Sequence, residues 1–492
     1  MDGTITRLRR GSWQALRPAG LLALAWAGTA SAGYGDITAA ELNRHIEAYR
    51  DQPTYLHDHP QVLRNLTPPQ LAQAIEALEL THYSYLHPVI AEADTLPTAA
   101  GKAIDTLSVA AVRGGELVPI PFQIDERDTE GWAYIEGASE APPVGTPGVF
   151  DAQDELVFMY RDTGEDAYDA AHHGAPAGQI LHELRFTHEG RTRYAYLLQG
   201  DDRRSTADYV SFDATTGQSR NTYYQFAVSP QNFLDFKDFR ANVGPTQDAR
   251  VLDTIYVELA TGVISPWPRL SFDSVDNIKA ELVRVKDGPV RALTLLKLRI
   301  VVANIPVFNI WSEVTVYDQG IVLPVSIRIP GGEVLTRVLN KPRFYLALDF
   351  KDIQGGHVNA AGSADPASYA VVDGKLSALE KTVTISHEKN WLWLASQRGW
   401  DLWARFDLPP DWPEQLDLRY EDDPGATTDW ENFPGATPRV GVDARGFPVG
   451  KLDISLDAML WFPDTVGAGG PLGFAQEVRN PPALQVRAAP GG

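Results

Sequence analysis

Apolar and polar positions along this chain change their spacing once. Between residues 36 and 90 apolar side chains recur at three and four, with Leu42, Ile46 and Tyr49 in one stretch and Leu71, Ile75 and Leu78 in another. That is the period of amphipathic helices. Asp36 or Thr38 stands where an N-cap belongs, and Thr67-Pro68-Pro69 suits a helix start because proline fits the first turn. The spacing predicts a small helical cap folded onto the main body, with a partner-docking module as the alternative.

From residue 104 the period shortens to runs rich in Val, Ile, Thr, Phe and Tyr, broken by Gly, Pro, Asn and Asp. Strands are expected at 117–125, 155–160, 183–187, 193–198 and 221–228, and again near 380–406 and 451–462. Between Asn277 and Val338 the pattern is densest. Ten residues, then Asp287-Gly288, then PVRALTLLKLRIVV read as a hairpin, since Asp-Gly supplies the positive φ angles of a tight turn. Three further runs joined by Asp318-Gln-Gly320 and Pro330-Gly-Gly332 extend this to a meander of five neighbouring strands. No period of 20–50 residues repeats, which disfavours a propeller or solenoid. The reading is a mainly β chain: a large antiparallel β-sandwich with a helical N-terminal segment over 33–100, a body over 101–462 of one or two sheet units, and an irregular Gly/Pro/Ala-rich tail over 463–492.

Residues 1–32 change the expected compartment. Arg7, Arg9, Arg10 and Arg17 precede or flank a short apolar run, Ala19–Ala27, and Ala30-Ser31-Ala32 follows at signal-peptidase spacing. The run is too short to span a bilayer, which takes about 20 apolar residues. The expectation is an exported protein, periplasmic or extracellular, without an integral membrane segment once processed. An outer-membrane barrel is the alternative that plentiful strands allow, although several strand segments are apolar on both faces.

Composition narrows the chemistry. In 492 residues there are 43 Lys and Arg against 64 Asp and Glu, a net charge of −21. So acidic a chain repels phosphate backbones, which excludes nucleic acid as a natural partner. The absence of Cys excludes disulfides, Fe–S clusters, thiolate zinc sites and c-type haem attachment. No G-x-S-x-G, P-loop or dinucleotide fingerprint is present, so neither a serine hydrolase nor a nucleotide site is expected.

Four features remain as candidate chemistry. Asp125, Asp128 and Glu130, within VPIPFQIDERDTEG, form one acidic cluster, and Asp151, Asp154 and Glu155, within FDAQDELVF, form another. Carboxylates brought together repel unless a cation joins them, so these six are the expected ligands of a Ca²⁺ ion at a strand mouth. Solvated acids, some paired with Arg127 or Arg161, are the plainer alternative. Seven of the twelve Trp lie between 391 and 461. Exposed, Trp391, Trp393 and Trp400 would form a stacking platform for a glycan; buried, they would be core. His57-Asp58-His59 resembles a metal-binding H-x-H, with His45, His82 and His87 in the same region, while His172, His173, His182 and His188 form a second scatter. Neither set has the HExxH arrangement, and a surface role is the simpler expectation.

PFQIDERD followed by DAQDELVFMYRD resembles a pattern of uncharacterised exported bacterial β-sandwich proteins, in which "PFQ-hydrophobic-D" precedes "DELVF". DGPVRA at 287–292 is similar to a turn of galactose-mutarotase-like sandwiches. The resemblance implies a supersandwich fold that elsewhere hosts sugar epimerases and polysaccharide-lyase accessory domains. It transfers no catalytic residue, because no acid–base pair of a sugar enzyme matches this chain. The expected function is therefore an exported protein that binds an extracellular glycan or a surface partner, possible Ca²⁺ being its one cofactor. The rival is a polysaccharide lyase or sugar epimerase, with Tyr223, Tyr224, Lys237 and Arg240 as loose candidates. A structural partner in a surface assembly, working through 36–90, is the third reading.

Overall fold

Capping chemistry starts the first helix where the sequence placed it. In a computed structural model of the chain, residues 37–51 and 86–489 are described except 152, 222, 243–249, 264, 303–304, 329–338, 352, 364–368, 399, 409–414, 447–452 and 463–469, as are residues 70, 73 and 77. Helix α1 (Ala39–Asp51) follows Thr38, whose hydroxyl accepts the Glu41 N–H at 3.3 Å while the Glu41 carboxylate accepts the Thr38 N–H at 2.9 Å. This reciprocal pair is a capping box. Leu42 and Ile46 are buried beneath it. Residues 70, 73 and 77 are also helical, and the Gln73 amide reaches Asn43 at 3.2 Å. Residues 1–32, read as an export signal, lie outside the described residues, as do His57, His59 and His82.

The strands follow in chain order. β1 (Pro88–Glu92), β2 (Lys102–Ala103), β3 (Leu107–Arg113), β4 (Glu116–Pro119), β5 (Phe122–Asp125), β6 (Val149–Phe150) and β7 (Glu155–Met159) precede the short helix α2 (Ala170–His173). Next come β8 (Gln179–His188), β9 (Arg191–Gln199), β10 (Val210–Asp213), β11 (Gln218–Asn221), β12 (Tyr224–Ser229) and β13 (Asn232–Ala241). The large sheets draw on β14 (Leu252–Val263), β15 (Ser265–Asp273), β16 (Ile278–Lys286), β17 (Arg291–Val302), β18 (Ile305–Tyr317), β19 (Gly320–Arg328) and β20 (Leu339–Phe350). They are completed by β21 (His357–Ala360), β22 (Ala370–Val371), β23 (Trp391–Ala395), β24 (Asp401–Asp407), β25 (Gln415–Glu421), β26 (Arg439–Arg445) and β27 (Asp453–Trp461). Helix α3 (Gly470–Arg479) and β28 (Ala483–Ala488) end the described chain.

The protein is mainly β, a sandwich of antiparallel sheets within one compact unit, residues 32–492. A nine-stranded sheet, β16-β17-β18-β19-β27-β24-β23-β21-β22, faces a five-stranded sheet, β15-β14-β20-β26-β25. Val257, Leu346 and Val440 from the smaller sheet meet Leu298, Leu323, Leu402 and Leu460 from the larger around an apolar space of about 120 Å³. Phe226, Phe233, Phe236 and Phe239 of the β10–β13 sheet close the same core. A second five-stranded sheet, β28-β8-β9-β3-β4, and the three-stranded β1-β7-β5 sheet use the N-terminal strands. No described helix is long and apolar enough to cross a membrane.

Strand alternation explains how the large sheet divides its labour. Leu392, Leu402 and Leu460 point into the inter-sheet core, so residues one position away face the other side. That other side carries Arg284, Lys286, Arg291, Glu313 and Tyr317 on β16–β18; the first four bond to β5 and the loop that follows it, and Tyr317 accepts from Arg291.

Four expectations are corrected. β16 and β17 do form a hairpin, but over four connecting residues, 287–290, and Gly288 is not among the positive-φ glycines. The meander keeps four neighbours, β16 to β19; Glu333–Val338 lies outside the described residues, and the strand from Leu339 joins the opposite sheet. The expected strand 117–125 is two, because Ile120-Pro121 interrupts it and β4 and β5 enter different sheets. The tail is not irregular: α3 buries Phe474, Ala475 and Glu477, and β28 pairs antiparallel with β8. Proline in the first turn of α3 and its apolar positions at three-residue spacing outweigh the tail's loop-like composition.

Candidate functional site

The three sequence fragments singled out above meet around one guanidinium. Gln123 is the organiser. Its carbonyl Oε1 accepts the N–H groups of Val290 at 3.0 Å and Arg291 at 2.9 Å. Its Nε2 donates to both oxygens of Asp125, at 3.0 and 2.9 Å. Gly288 is required there, since a Cβ on it would stand 2.4 Å from Gln123 Oε1. The side chain of PFQID thus holds the loop of DGPVRA, and that loop presents Arg291 to Asp125.

Arg291 Nε lies 2.9 Å from Asp125, and the same guanidinium bonds to Glu155 of DELVF and to the Tyr317 hydroxyl at 3.3 Å. Asp125 and Glu155 are opposed by strand register in the β5–β7 pair. Lys286 Nζ is 3.1 Å from Asp125, and Arg127 bridges Glu155 at 2.7 Å and Glu313 at 2.6 Å. Asp128 is held by Arg284 at 2.7 Å and by the N–H groups of Glu130 and Trp132, each at 3.0 Å. Four carboxylates therefore alternate with four cations, and the network is neutral. Burial alone would raise the carboxyls of Asp125 and Glu155, but the adjacent Arg291, with Lys286 or Arg127, holds both below the usual carboxylate range.

This arrangement corrects the picture of acids joined by an ion. Among the described residues, no three of Asp125, Asp128, Glu130, Asp151, Asp154 and Glu155 place ligand atoms within 4.8 Å of one another. Where Asp125 and Glu155 meet, arginine stands between them. Glu130 is exposed. Asp151 and Asp154 occupy a separate turn, in which Asp151 accepts the Thr146 N–H at 2.8 Å and Asp154 the Asp151 N–H at 2.9 Å. Burial, with the charges of Asp151 and Glu126, pushes Asp154 up to about 6. Spacing along the chain showed the acids and offered Arg127, which holds Glu155, but not Arg284 and Arg291, which lie 136 to 166 residues from the acids they pair.

The tryptophans divide. Trp391 and Trp400 are 3% and 2% exposed and belong to the core, so neither forms a platform. Trp403 is fully buried and meets Phe474 of α3 edge-on at 5.2 Å. Trp393 is half-buried, and its indole N–H donates to Asp401 at 2.9 Å. Next to it Tyr369, 42% exposed, stacks on His357 at 4.0 Å and meets Trp393 edge-on at 6.5 Å. Gln397 lies 3.1 Å from His357 Nδ1. Trp393, Tyr369, His357 and Gln397 thus make an aromatic patch with a polar fringe at the β21–β24 end of the large sheet, with buried Asp401 fixing the indole from beneath. Sequence reasoning found Trp393 but missed Tyr369 and His357, which only the β21–β23 pairing brings beside it.

The loose acid–base candidates are structural. Tyr224 is fully buried, its hydroxyl donating to the carbonyls of Tyr317 and Gly320 at 2.9 Å each, and Tyr223 is 2% exposed. Lys237 and Arg240 pair with Asp235 and Asp238. A further buried acid escaped notice. Asp349 has neither carboxylate oxygen hydrogen-bonded and lies 3.8 Å from Arg439, and burial, with Glu431 and Asp253 nearby, pushes it up to about 7.

No family model matches the chain, and no curated protein matches it. Among solved structures it is similar to an alpha-mannosidase from Enterococcus faecalis V583, at 12% identity and TM-score 0.42 over 90% of this chain and 55% of that one. It is also similar to a proposed aldose 1-epimerase from Escherichia coli K12, at 10% identity and TM-score 0.28 over 52% and 98%. Heparan sulfate lyase HepC from Pedobacter heparinus aligns at 9% identity and TM-score 0.30 over 55% and 38%. The chain spans just over half the length of the mannosidase. At TM-scores below 0.5, function is left to be argued from the chain's own residues.

Proposed function

We propose that this chain is an exported glycan-binding protein, and that the patch of Trp393, Tyr369 and His357 is where a sugar ring stacks. One observation carries the reading: an exposed tyrosine and a half-buried tryptophan share a surface with the exposed amide of Gln397 at their edge. Flat aromatic rings cover the apolar face of a sugar, while amide and imidazole groups satisfy its hydroxyls. The pattern of residues 1–32 supports export. Arg291 and its partners serve to fix the N-terminal strands on the large sheet, because the network is buried and internally neutral.

Isothermal titration against a panel of neutral and acidic glycans tests this. Tyr369→Ala removes an exposed ring without disturbing the core and should weaken binding by about threefold to tenfold, corresponding to roughly 0.5–1.5 kcal/mol for an aromatic contact. A protein that binds no glycan, or binds one with unchanged affinity after Tyr369→Ala, refutes the proposal.

A further inference from the structure

Two histidines from the separate scatters in the sequence converge on a carboxylate of the C-terminal helix. His87 immediately precedes β1, His188 ends β8, and Glu477 lies on α3. His188 Nε2 stands 2.7 Å from Glu477 Oε1, and His87 Nε2 approaches the same oxygen at 3.4 Å. Glu189, the next residue after His188, completes a group: one ligand atom each from His188, Glu189 and Glu477 lies within 4.8 Å of the others.

From these contacts we infer that His188, Glu189 and Glu477 form a binding site for one divalent transition-metal ion of the zinc type, with His87 beside it. The donor set is the first argument. An imidazole and two carboxylates, with the fourth position left to water, suit zinc and its neighbours, whereas calcium takes oxygen alone. Spacing is the second. A tetrahedral ion with bonds of about 2.0–2.1 Å holds its ligand atoms roughly 3.3 Å apart, and the three ligand atoms already lie within 4.8 Å of one another.

Burial is the third. His87 and His188 are each 7% exposed and Glu477 5%, yet His87 Nε2 has no hydrogen-bond partner. The Tyr160 hydroxyl, buried and also without a partner, is near enough to Glu477 to feel its charge. Polar atoms sequestered in this way ordinarily have a partner, an ion among the possibilities. Glu189 adds a cost that the site would repay. It occupies the β8–β9 hairpin turn at φ +45°, followed by Gly190 at +81°, where Asn, Asp or Gly is the usual choice. An ion held there ties the first strand, a hairpin tip and the last helix together in a chain that has no disulfide.

The test uses the full-length protein, stripped with chelator and titrated with Zn²⁺ alone by calorimetry. Co²⁺ substitution is followed by visible absorption as a geometric readout. One Zn²⁺ per chain and the intense bands of tetrahedral Co²⁺ are expected. His188→Gln should abolish them. Glu189→Gln, at the exposed rim, should weaken binding at least tenfold with an unchanged circular dichroism spectrum. His172→Gln, in the exposed pair next to α2, should leave binding intact. A wild-type protein that takes up no Zn²⁺ overturns the inference, leaving a hydrogen-bonded His–Glu–His group. So does uptake that neither Glu189→Gln nor His188→Gln alters.

Discussion

Replacing Arg291 by Met should unbalance the buried network by one charge. The guanidinium contacts Asp125 at 2.8 and 2.9 Å, bonds to Glu155, and is itself 3% exposed. Without it, Asp125 keeps Lys286 and the Gln123 amide, and Glu155 keeps Arg127. Three cations then face four carboxylates in a region from which water is excluded. Removing one partner of a buried ion pair costs about 3–5 kcal/mol, and Met restores packing but no charge. The loss should be read from urea unfolding followed by tryptophan fluorescence, as a lowered midpoint at constant slope.

Its pH dependence gives a second readout. In the wild type both carboxyls titrate below their ordinary values of 3.8 and 4.5. The stability they contribute is therefore present above about pH 4.5 and is lost as pH falls through the lowered values. In the variant an uncompensated carboxylate can take up a proton, so the gap between the proteins should be widest near pH 7 and narrow below pH 4. Adding Glu155→Gln restores three charges of each sign and should recover about 1–2 kcal/mol. A loss under about 1 kcal/mol at pH 7, or a gap constant down to pH 3.5, refutes the reasoning.

Other consequences are as direct. Gly288→Ala should displace the Gln123 amide and destabilise by about 1–3 kcal/mol, matching Gln123→Leu rather than adding to it in a double variant, as urea midpoints would show. Asp349→Asn removes a carboxyl whose value rises from 3.8 to about 7 on folding. Wild-type stability therefore falls between those pH values as the unfolded chain gives up its proton first, so the variant should gain by about 2–4 kcal/mol at pH 8 and little at pH 4. Phe474→Ala empties a fully buried position against Trp403 and should cost about 3–5 kcal/mol, read from the same unfolding curves.

What could be read without coordinates follows from the range of each interaction. The start of α1 was legible to within Asp36 or Thr38, and the Glu41 that completes the cap at Thr38 lies only three residues on. So were β16 to β19, because neighbouring strands carry their own alternation and turns. Asp125 and Glu155 were visible as acids, but the residue that joins them, Arg291, is 166 positions from Asp125, and composition records no partner. Trp391 and Trp393 carry the same side chain on the same face of one strand, and only their neighbours decide which is core: Trp391 stacks on buried Trp403, whereas Trp393 meets the exposed Tyr369. The tail misled because Gly470, Pro471 and Gly473 open a helix rather than replace one. His87 and His188 were counted in different scatters, and Glu477 in neither, since they lie at β1, β8 and α3, which meet only when the C-terminal elements close over the N-terminal ones.

That closure sets an order on how the chain comes together. Strand β28 caps the open side of β8, and α3 carries Phe474 against Trp403 and Glu477 to His87, 390 residues earlier. A nascent chain that has emerged only as far as β27 exposes the backbone of β8 and an unfilled slot beside Trp403. Such an uncovered edge invites pairing with another copy, and contacts this remote in sequence form slowly. The body can therefore lock only once α3 and β28 have been made.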